Sequence, residues 1–111
     1  MSVITYNDFL NVDIRVGTIL EVGPFEKARK PSYQMQIDFG EEIGIKQSSA
    51  QITHFYDMQE LVGRQVIAVV NFPPKQIANF FSEVLVLGLE TEGNVVLLQP
   101  ERAVPNGVRM S

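Results

Sequence analysis

Three stretches of this chain hold side chains able to do chemistry. In SSAQITHFYD, Ser48, Ser49, the single histidine His54 and Asp57 supply hydroxyl, imidazole and carboxylate groups. All four fall in one short segment without a nucleophile-elbow pattern, so the serines read as caps of a short helix beginning near Ala50. GEEIGIKQS ends in lysine and serine like a phosphate-binding loop, but Gly40, Gly44 and Lys46 miss the GxxxxGK[ST] spacing. It reads as a hairpin turn. Glu41 and Glu42 are adjacent, so on a strand they point to opposite faces and make no carboxylate pair for acid–base work.

The third stretch is VVNFPPKQIANFFSEVLVLG, residues 69–88. Two apolar runs flank an interval, Asn71 to Glu83, in which Pro73 and Pro74 remove two backbone donors and force the chain out of a sheet ladder. Lys75 then emerges on a constrained loop, with no acid in sequence before Glu83 to neutralise it. Phe72, Phe80 and Phe81 admit two readings. They plug a barrel end or a dimer contact, or they form an exposed surface on which a base or an apolar peptide stacks.

These residues need a scaffold, and composition limits its kind. The 111 residues are the size of one domain, 1–111, and a hydrophobic content of 45% is enough for an ordinary core. Cysteine is absent, which excludes disulfides and thiolate metal sites and favours the cytoplasm. With one histidine and no phosphate loop, neither a metal nor an organic cofactor is expected. No apolar run approaches the length of a membrane span, and MSVITYNDF lacks the order of a signal peptide, so no membrane insertion is expected. Nine Lys and Arg against thirteen Asp and Glu give a net charge of -4, which argues against broad attraction to phosphate backbones. Five of the nine cations are Lys27, Arg29, Lys30, Lys46 and Lys75, and folding could gather them on one face.

Alternation identifies the positioning elements. Ile14, Val16, Thr18, Leu20 and Val22 share one parity, as do Tyr33, Met35, Ile37 and Phe39, so each set marks a strand with one buried face. Gly17 would bend the first of these. Gly40 to Glu42 turns into a strand over Ile43 to Gln47, and QVIAVV, EVLVLGL and NVVLLQ supply three more, the last two joined by ETEGN. Short helices are expected near Tyr6 to Leu10 and after Ala50, and VPNG is a tight turn. The pattern predicts an all-β fold: a five-stranded Greek-key barrel of the oligonucleotide- or oligosaccharide-binding (OB) type, with short added helices and terminal extensions, favoured by the long bent first strand over an SH3-like barrel as the nearest competitor. Val66 to Val70, Val84 to Leu87 and Val95 to Leu98 are apolar at both parities, so their outer faces need cover from a homodimer partner or from the termini.

The chain resembles the CsaA family of secretion chaperones, within the tRNA-binding domain superfamily. The motifs are DIRVGTI (13–19), EKARKPSY (26–33), IGIKQSSAQIT (43–53), VVNFPPKQIANFFSEVLVLG and VVLLQPERAVPNG, which together span nearly the whole sequence. The resemblance implies an OB-fold homodimer that binds without catalysis: unfolded or pre-secretory polypeptide in the CsaA branch, with the secretion machinery as a further partner, and tRNA in the wider superfamily. It also implies a loop of Asn, Pro and basic residues followed by Ser-Glu-Gly-Met at the binding end. Asn71, Pro74, Lys75, Ser82 and Glu83 match that loop, whereas Gln76, Val84 and Leu85 depart from it. Two uses of this barrel end follow. Polypeptide would lie in apolar pockets near Phe72, Phe80 and Phe81, or RNA would meet Lys46, Asn71 and Lys75 through its backbone and Ser82 and Glu83 through a base edge.

Overall fold

The computed structural model describes every residue from Met1 to Ser111. Its elements in chain order are α1 (Tyr6–Leu10), β1 (Ile14–Pro24), β2 (Tyr33–Asp38), α2 (Gly40–Ile43), β3 (Ile45–Ala50) and α3 (Met58–Leu61). There follow β4 (Gln65–Val69), β5 (Lys75–Ile77), β6 (Phe80–Ser82), β7 (Leu85–Val86), β8 (Gly88–Thr91) and β9 (Asn94–Leu97). Strands β3-β2-β1-β4-β7 form one antiparallel sheet, and β5–β6 and β8–β9 are separate two-stranded ribbons. The sheet curls into a nearly closed barrel of the expected OB type.

Closure occurs where β3 meets the chain just before β7. The Glu83 amide donates to the Gln47 carbonyl at 2.8 Å, and the Ser48 hydroxyl donates to the Val84 carbonyl at 3.0 Å. Ser48 is therefore a fully buried barrel residue opposite Met35, not a helix cap. Strand β3 runs on through Ala50, and the helix expected there is displaced to α3, where Asp57 and Glu60 form a capping box. Sequence pattern could not show this, because the hydroxyl is satisfied by a carbonyl 36 residues away.

The first strand also departs from its expected parity. Ile19 is fully buried and Leu20 41% exposed, the reverse of the expected parity, and a register shift between Ile19 and Glu21 then brings Val22 back to the face of Ile19, against the core. Gly17 has a different task. A β-carbon there would sit 2.7 Å from both Ile37 Cγ2 and the Phe39 ring, so the missing side chain lets these two pack across β1. Phe39, Ile37, Ile19, Met35, Leu61 and Val66 form the fully buried centre of the core. Each such side chain contributes about 1.5–3 kcal/mol of burial.

Two further expectations are corrected. EVLVLGL is two strands, β7 and β8, parted at Leu87, whose amide bonds Ile67 and whose carbonyl accepts from Leu98. Glu41 and Glu42 stand on the helical turn α2 instead of in a hairpin turn. The edge of β1 at residues 14–16, which β2 leaves unpaired, is taken by the C-terminal tail. Met110 and Gly107 amides donate to the Ile14 and Val16 carbonyls at 2.8 Å each, with Arg15 bridged to Arg109. An ion cluster fastens the tail: Arg15 meets Asp13 at 2.6 Å and Glu42 at 3.5 Å, and Arg109 reaches Asp13 at 3.5 Å. The hydrogen bond from Arg15 holds the Asp13 carboxyl below the usual carboxylate range and, reciprocally, raises the guanidinium. At the N-terminus, Val3, Ile4 and Tyr6 remain exposed.

Candidate functional site: a cationic groove with an aliphatic floor

Two projections rise from one side of the barrel. The first is the segment joining β1 to β2, bracketed by Pro24 and Pro31, which carries Lys27, Arg29 and Lys30. Phe25 anchors its base: the ring is buried, and the Phe25 amide bonds the Ser32 carbonyl at 3.1 Å. Short internal bonds, Ala28 N–H to the Phe25 carbonyl and Ser32 Oγ to the Lys30 carbonyl, keep the tip compact and leave its charged side chains in solvent.

The second projection is the interval from Asn71 to Glu83. It is a β-hairpin, not an irregular loop: Lys75 pairs with Ser82 and Ile77 with Phe80, while Ala78 makes the turn at φ 53°. Pro73 and Pro74 lie between the end of β4 and the start of β5, where their missing donors keep the chain out of a ladder. Phe80 is one of the barrel-side rings, stacked at a tilt on Phe25 with centroids 5.3 Å apart, so the two projections brace each other.

The base of the arm is latched to the edge of β3 by side chains. Glu83 Oε1 accepts from the Gln47 amide at 3.0 Å, Ser82 Oγ accepts from the Ser49 amide at 3.1 Å, and Gln47 Nε2 donates to the Phe81 carbonyl at 2.8 Å. These bonds replace the strand that β3 lacks on its outer edge. Asn71 is similarly engaged: its amide donates to the Asn11 carbonyl at 2.8 Å and accepts from the Asp13 amide at 3.0 Å, which fixes the N-terminal segment to the end of β4.

Between the projections lies a groove of about 990 Å³. Its floor is aliphatic, with Ala50, Ile52, Val84, Val86, Val95 and Leu97 from three separate segments. Lys27, Arg29, Lys30 and Lys75 line its walls, and no carboxylate does. None of these four cations is held in an ion pair. The rest of the chain sets five cations against thirteen carboxylates, so the groove is a positive strip on a negative molecule.

The residues singled out from sequence divide accordingly. Lys75 and Ser82 line the groove. Lys46 does not: it sits half-buried in β3 opposite Ile37, so four of the five early cations are gathered and the fifth is not. Phe72 and Phe81 are half-exposed, and with Pro74 they lie outside the groove lining. Asn71, Ser82 and Glu83 have polar atoms committed to internal bonds. The wall formed by Lys27, Arg29 and Lys30 was visible in sequence as three cations between two prolines, but nothing local showed that they would face Lys75. No group of three or more histidine, aspartate or glutamate side chains is placed to hold a metal ion, and no helix is long and apolar enough to cross a membrane.

The model of the putative tRNA-binding domain family matches residues 14–109. The chain superposes on a crystal structure of the CsaA chaperone protein of Picrophilus torridus with a TM-score of 0.93 and 56% identity, covering 98% of this chain and all of that one. The chaperone CsaA of Bacillus anthracis str. Ames gives the same TM-score of 0.93 at 51% identity, covering 99% of this chain and 100% of that one. Among curated relatives, the methionine–tRNA ligase of Methanothrix thermoacetophila is 37% identical over 105 residues, which is 95% of this chain. The chain spans about 15% of the length of that ligase.

Proposed function

We propose, for a chain that belongs to the putative tRNA-binding domain family and to its CsaA branch, a binding role without ATP in which non-native or pre-secretory polypeptide is held and export assisted. The observation that carries this reading is the groove: an aliphatic floor long enough for several residues of extended chain, between two braced walls. Its lining offers cations and aliphatic surface and no paired acid and base, so the site is one for holding a ligand, not for transforming it. Lys75 and Ser82 are the residues of the arm that would touch the ligand, with Phe72 and Phe81 as half-exposed rings beyond the groove. Residues 1–111 act as one domain in the cytoplasm, in contact with the secretion machinery. The working form is a homodimer, for which the apolar N-terminal segment supplies surface: Val3, Ile4 and Tyr6 are 99%, 66% and 70% exposed.

The test is whether the purified chain, at stoichiometric ratio and without nucleotide, slows aggregation of a chemically denatured client. No slowing at that ratio removes the polypeptide reading. A second reading, binding of structured RNA such as tRNA, is favoured by the four unpaired cations of the groove. It requires a tRNA affinity that falls with salt and falls further in Lys75→Ala. An affinity indifferent to that substitution takes the arm out of the RNA site.

A further inference from the structure

We infer that the groove takes extended polypeptide segments that are acidic as well as aliphatic, and that such a segment adds as a strand to the free edge of β5. The inference rests on the polypeptide reading above and names its ligand class. Two independent observations carry it.

The first is charge. Lys27, Arg29, Lys30 and Lys75 face the groove with no carboxylate among them, and none is neutralised by an ion pair. A basic segment would meet uncompensated repulsion, whereas acidic side chains flanking an aliphatic core would meet cations over an aliphatic floor. The chain as a whole is acidic, so the strip is not a sample of its average surface.

The second is the edge. Strand β5 pairs only with β6, and no backbone group of Lys75, Gln76 or Ile77 makes a hydrogen bond outside that pair. All three residues and Ala78 line the groove, whereas Ser82 is the one β6 residue that does. The unpaired edge of the arm therefore borders the cationic strip, and an extended peptide there would complete a three-stranded ribbon. Main-chain bonds of that kind are indifferent to sequence, and the cations then supply the selection.

Nucleic acid is the less favoured occupant. Grooves for single strands combine cations with aromatic rings on which bases stack. No phenylalanine or tyrosine lines this groove: Phe80 is spent on Phe25, and Phe72 and Phe81 stand outside.

The experiment is fluorescence anisotropy on the full chain with three labelled probes: a 12-residue Asp/Glu-Leu-Val peptide, the same peptide with Lys in place of each acid, and a 12-nucleotide RNA. The acidic peptide should bind at least about tenfold tighter than the basic one, the size of two or three exposed ion pairs, and the gap should close in high salt. Combined Lys27→Glu, Arg29→Glu and Lys30→Glu should reverse the order of the two peptides. N-methylation of alternate peptide bonds in the acidic probe should abolish its binding if strand addition holds it. Equal binding of both peptides, an unchanged order in the triple variant, retained binding after N-methylation, or RNA binding tighter than the acidic peptide each overturns the inference. The aggregation assay separates the two levels: clients held with no charge preference refute this inference alone, and clients not held refute the polypeptide reading with it.

Discussion

Glu83→Ala removes the carboxylate that accepts the Gln47 amide at 3.0 Å, at the seam where the barrel closes. The amide is left on a half-buried strand edge with no other acceptor, and a hydrogen bond to a charged group contributes about 1.5–3 kcal/mol. For a chain of 111 residues that corresponds to a melting temperature lower by about 6–12 °C. Glu83→Gln keeps an oxygen acceptor and loses the charge, so about half that decrease is expected, since charge-assisted bonds are roughly twice as strong as neutral ones. The bond between the Glu83 amide and the Gln47 carbonyl is main chain and survives both changes, which is why the barrel should remain folded. Differential scanning fluorimetry gives the ranking, and hydrogen exchange at the Gln47 and Ser49 amides localises it. Exchange there should accelerate in the alanine variant while the amides of Ile37 and Val66 in the core stay protected. A melting temperature within 2 °C of the parent for Glu83→Ala, together with unchanged Gln47 exchange, refutes the seam as described.

The ion cluster at the tail predicts a pH dependence. Asp13 has its folded pKa depressed, so its stabilisation is present above the unfolded value of about 3.9 and is lost as pH falls through the lower folded value. Arg15→Met should lower the melting temperature by a constant amount from pH 5 to 8, and the difference from the parent should shrink below about pH 4; a difference independent of pH down to pH 2 refutes the pairing. The raised guanidinium of Arg15 adds no dependence in that range, because its contribution persists at every pH below its unfolded value. Gly17→Ala places a methyl group 2.7 Å from the Phe39 ring and Ile37, an overpacking that costs about 1–3 kcal/mol, read as a lower denaturation midpoint in urea with the slope unchanged. An unaltered midpoint shows that the ring does not cross β1 at that point.

The barrel was legible because its evidence is local. The parity of Tyr33, Met35, Ile37 and Phe39 gave β2, with the first three buried or half-buried as expected, and the Thr5–Asp8 capping box starts α1 where the pattern placed it. What was illegible depends on distant partners. A hydroxyl before Ala50 looks like a cap until Val84 arrives to accept it, and Leu20 looks buried until the core takes Ile19 from the opposite face of the strand. The family motif around Asn71, Ser82 and Glu83 points to the right projection, but Ser82 and Glu83 hold the arm to β3, Asn71 holds the N-terminal segment, and of the three only Ser82 lines the groove. Residues 27–30, 49–52, 75–78 and 84–86 meet only when the barrel closes, and no spacing within any one of them announces the groove.

The central claim is that polypeptide lies between the two projections. Chemical-shift perturbation of the isotope-labelled chain, titrated with an unfolded acidic peptide, tests it without relying on any variant. Shifts should concentrate on the amides of Lys27 to Ser32, Ser49 to Ile52 and Lys75 to Ala78, with Arg15, Arg109 and α1 unmoved. Shifts confined to α1 and the C-terminal tail, with the groove amides unchanged at saturation, contradict the account.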